Sequence, residues 1–115
     1  MRKQMIENAA LEVATQIRTV EDSIEGALAE IAELQSRMIR ARATMGIATA
    51  TGHAAFEQLC AATQGLIAAR GGMANCHGAL VEAKQFVPGL RAVSFGEGDE
   101  CPPPQAVRTD LRIIA

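Results

Sequence analysis

The chain has 115 residues, of which 49% are hydrophobic but only 3% aromatic, with no Trp and no Tyr, and its net charge is −2. That is one domain's worth of chain, with no platform on which bases or sugars could stack and no basic field to hold nucleic acid or anionic lipid. The apolar mass is Ala, Ile, Leu, Val and Met, which suits close packing of helix on helix.

At the N-terminus, Arg2 and Lys3 are followed by charge at amphipathic spacing, so no signal peptide is expected. From Ile6 the apolar residues step by four and three: Ile6, Ala10, Val13, Ile17, Val20, Ile24, Ala27, Ile31, Leu34, Met38, Ala41, Met45. This heptad seam predicts a helix over 3–45 that supercoils against a neighbour. Glu7, Glu12, Arg18, Glu21, Asp22, Glu25, Glu30, Glu33 and Arg37 lie between the seam positions and give the helix a solvated face. Glu33 and Arg37 stand four apart in the favourable order. Gly26, inside the pattern, costs about 1 kcal/mol relative to Ala.

The pattern breaks at Gly46, and residues 46–51 are expected to turn, with Gly46 ending the first helix and Thr51 capping the second. The second helix is expected over 52–86. Phe56, Leu59, Cys60, Leu66, Ile67, Met73, Leu80 and Val81 form its broad apolar face. A second stripe is small: Ala54, Ala61, Gly65, Ala68, Gly72, Asn75, Ala79 and Ala83. Gly71-Gly72 is a place where the helix can bend. Between Ala43 and Val81 the only formal charges are Glu57 and Arg70. A helix covered on one side alone should carry a charged outer face, so this one is expected to be covered on two sides. The first helix would cover one, and a second copy of the chain the other, along Ala54, Phe56, Ala61, Gly65, Ala68 and Gly72.

Pro88-Gly89 stops the helix. Residues 88–115 are expected to be an extended linker, with Pro102-Pro103-Pro104, and an apolar tail carrying Val107, Leu111, Ile113 and Ile114. The tail could dock on the helical body or meet another protein. No apolar run is long enough to cross a membrane, which takes about 18 residues. Three cysteines, Cys60, Cys76 and Cys101, without CxxC spacing suggest a reduced, cytoplasmic setting.

Sites for chemistry are sparse. His53 and Cys60 share a helix face but are two turns apart, too far to hold one ion. Cys76 and His77 are adjacent and diverge by about 100° on a helix, so they do not aim at each other. Neither a metal, nor a cofactor, nor catalysis is expected. Arg37, Arg40 and Arg42 form a basic cluster near the turn that could touch phosphates. The favoured expectation is that they instead pair with Glu and Asp of a neighbouring helix and suit the C-terminal end of their own helix dipole.

The expected fold is all-α: a long antiparallel, coiled-coil-like helical hairpin, paired as a homodimer into a four-helix bundle. The expected function is a non-enzymatic oligomeric scaffold or adaptor that self-associates through its second helix. Two alternatives are a nucleic-acid accessory protein acting through Arg37, Arg40 and Arg42, and a sensory bundle with a ligand between helices near Met73 and His77.

Overall fold

The computed structural model describes residues 1–90. They are all-helical, with no strand among them: α1 runs Arg2–Met45, α2 runs His53–Ala83, and a 3₁₀ turn covers Lys84–Phe86. The expected linker and apolar tail, and Cys101 with them, lie outside the described residues from position 91 onward.

α1 has 44 residues and no interior proline. Its threonines would compete for backbone groups in another setting. Here the Thr15 hydroxyl donates to the Leu11 carbonyl at 2.9 Å, and that of Thr19 to the Thr15 carbonyl at 3.1 Å. The helix ends where the sequence pattern does. Gly46 takes φ 67°, the left-handed conformation that lets a chain leave a helix at little steric cost. Its amide donates to Ala43 at 3.2 Å, and that of Ile47 to Arg42 at 3.4 Å. α2 begins at His53, directly behind Gly52 at φ 79°, one residue later than expected. It passes through Gly71-Gly72 without a break.

Two compact units divide the chain: Val20–Gly71, and Met1–Thr19 together with the chain from Gly72 onward. In Val20–Gly71, the later part of α1, the turn and the earlier part of α2 form an antiparallel hairpin. Its seam is Val20, Ile24, Ala27, Ile31 and Met38 from α1 with Phe56, Leu59, Thr63 and Leu66 from α2, all half-buried. No residue of this unit is buried outright. Two helices form one layer pair and give little thickness in which to bury a side chain.

The other unit does have an interior. Ala10, Ile17 and His77 are buried there, and Ile6, Met73, Leu80 and Val81 are half-buried. After the 3₁₀ turn the chain bends again. The Leu90 amide donates to the Val87 carbonyl at 3.1 Å, and Gly89 takes φ 89°.

Candidate functional site

The arginine cluster is held by its own neighbourhood. Arg37 Nε donates to Glu33 Oε1 at 3.0 Å, the i,i+4 pair expected on a helix face. Arg40 Nη2 lies 3.6 Å from the same carboxylate oxygen, and its Nε lies 3.5 Å from the Ser36 carbonyl. Arg42 does something else: its Nη1 donates to the Ile47 carbonyl at 3.2 Å, across the Gly46 bend. The three side chains therefore neutralise Glu33 and clip the turn. The acid that pairs with Arg37 and Arg40 belongs to their own helix.

Within Val20–Gly71, the α2 residues facing the seam follow one another at 3–4 spacing: Phe56, Leu59, Thr63, Leu66. At 100° per residue, Ala54, Ala61 and Ala68 fall about half a turn away. Gly65 sits beside them, and all four are exposed. Phe56 belongs to the half-buried seam side and not to this outer face. Gly72 is the first α2 residue of the other unit and is also exposed. A Cβ built at Gly65 would meet nothing within 4 Å, and the same holds at Gly72. Nothing inside the chain demands glycine at either place. Ile67 is also exposed, at 56%, but at 100° per residue it lies on another side of α2 from the small residues.

Charge on this stretch of α2 is already engaged. His53 Nε2 lies 3.3 Å from Glu57 Oε1. Arg70 Nε donates to Glu25 Oε1 on α1, and that hydrogen bond, then the carboxylate's charge, raises the Arg70 pKa above the usual arginine value. Both side chains of this pair remain more than half exposed.

The sulfur and imidazole groups do not gather. Cys60 and Cys76 are free and exposed, while His77, next to Cys76, is buried. Among the described residues no three His, Cys, Asp or Glu side chains stand where they could hold one metal ion. Met73 and His77 share the covered face of α2, half-buried and buried respectively. Thr63 and His77 are seam positions that the apolar pattern alone does not mark. The 3–4 spacing counted on from Phe56 reaches both.

No helix among the described residues is long and apolar enough to cross a membrane. No family model matches the chain, and no curated protein or solved structure matches it either.

Proposed function

We propose that the chain is a non-enzymatic helical scaffold or adaptor that self-associates as a homodimer through the outer face of α2. The observation that carries this is the character of that face in Val20–Gly71. Ala54, Ala61, Gly65 and Ala68 are exposed on it, and the stretch's two charged residues are engaged with His53 and Glu25. A lone hairpin would normally turn a charged face to water on both helices. α1 does so and α2 does not. In the dimer, α2 becomes an inner helix, with α1 on one side and its own copy on the other. Small residues permit the near end of the usual helix separation, about 8 Å. Four helices also supply the thickness that this unit lacks by itself.

Concentration tests the proposal. A protein stabilised by association unfolds at a higher temperature when it is more concentrated, by mass action. The melting temperature is expected to rise steadily across a hundredfold concentration range. A melting temperature that does not move overturns the proposal.

A further inference from the structure

At the end of the unit that contains Met1–Thr19, the chain leaves the helical body over an open groove. The groove holds about 600 Å³ and is lined by Arg2, Lys3, Ile6, Val87, Pro88 and Gly89. Gly89 shapes one wall: a Cβ there would stand 4.0 Å from Ile6 Cγ2. A second hollow of about 510 Å³ shares Pro88 and Gly89 and adds Gln85 and Phe86. Phe86 is 85% exposed and Met5 70%. The lining is thus apolar apart from two cations, and Phe86 of the adjoining hollow stands in water.

We infer that this groove is the docking place of the chain's own residues 106–115, with Val107, Leu111, Ile113 and Ile114 as the apolar anchors. Three observations select this occupant over a partner from solution. The first is where the described chain ends: Leu90 directly follows the Val87-Pro88-Gly89 wall, so the next residues start at the groove itself. The second is reach. Residues 91–105 can span up to about 50 Å, far more than a return to Ile6 requires. A tether of that length gives an effective concentration in the millimolar range, so an apolar contact too weak to hold a free peptide is still occupied. The third is charge. Glu97, Asp99 and Glu100 lie on the tether, and Arg2 and Lys3 stand on the rim. Opposite charges on tether and groove favour a return of the tether toward Arg2 and Lys3.

The test uses the full chain with Cys60→Ser, Cys76→Ser and Cys101→Ser, so that Ala115→Cys, within the docking segment and far along the chain from Gly89, alone carries a nitroxide. Amide signals of the ¹⁵N-labelled protein are compared before and after reduction of the nitroxide. Docking predicts at least a twofold loss of intensity at Ile6, Val87 and Gly89 that reduction restores. A mixture of ¹⁵N-labelled chain without nitroxide and unlabelled chain with it should show no such loss. Ile113→Asp with Ile114→Asp should abolish the effect within one chain. Absence of broadening, broadening confined to the mixed sample, or broadening that survives the double substitution would each overturn the inference. The first means an unoccupied groove, the second a neighbour's tail, and the third a docking that does not use the apolar anchors.

Discussion

Arg70 on α2 donates its Nε hydrogen to the Glu25 carboxylate on α1, a residue 45 positions earlier, and so joins the two helices of the hairpin unit. The pair sits at the solvent edge, where ion pairs contribute little. Glu25→Gln is expected to destabilise the protein by about 0.2–1 kcal/mol, and by less in high salt. A double-mutant cycle with Arg70→Gln measures the coupling. A coupling well above that range would mean the pair is shielded from water in the assembled protein.

Gly65 gives a prediction whose sign depends on the assembly. In an isolated helix facing water, Gly65→Ala should stabilise by about 1 kcal/mol, since a Cβ there meets nothing within 4 Å. Against a closely approaching copy of α2, the added methyl pushes the backbones apart. The dimer account expects Gly65→Ala to weaken association at least tenfold, read from the concentration dependence of unfolding. Gly72→Ala tests the same stripe in the other unit.

Two other glycines separate backbone strain from space. Gly26 and Gly46 both have nothing within 4 Å of a built Cβ. Gly26 is helical and Gly46 is left-handed, at φ 67°. Gly26→Ala is expected to stabilise by about 1 kcal/mol, and Gly46→Ala to destabilise by about 1–2 kcal/mol. Chemical denaturation of the two variants side by side checks the opposite signs.

The three arginines should likewise separate. Arg42→Ala removes the clip on the Ile47 carbonyl and is expected to cost about 0.5–1.5 kcal/mol. Arg37→Ala removes an exposed i,i+4 pair and should cost about 0.3–0.5 kcal/mol. Thermal melts at fixed concentration distinguish them.

α1 was legible as a helix because Ile6 to Met45 repeat by four and three and Gly46 breaks the repeat with a residue suited to φ 67°, but the expected seam positions Val13, Leu34, Ala41 and Met45 are exposed. α2 was legible as a helix but less so in its facing. Its seam is completed by Thr63 and His77, which hydrophobicity passes over, while Cys60 and Ile67, which look like core, are exposed. Burial there follows register, and register is set by the partner helix as much as by the residue itself. The arginine cluster was visible as charge, but its engagement was not. That Arg42 turns to the Ile47 carbonyl depends on the path of the chain after Gly46, which composition does not encode. The groove beside Ile6 was not legible at all. It exists because Val87, Pro88 and Gly89 fold back on the first turns of α1, a contact between the ends of the described chain.

The central claim is that the hairpin pairs with its own copy, and the mass in solution tests it most directly. Sedimentation equilibrium at low micromolar concentration is expected to give twice the chain mass of 12.1 kDa. A single species at 12.1 kDa that does not change up to a hundred times that concentration would contradict it.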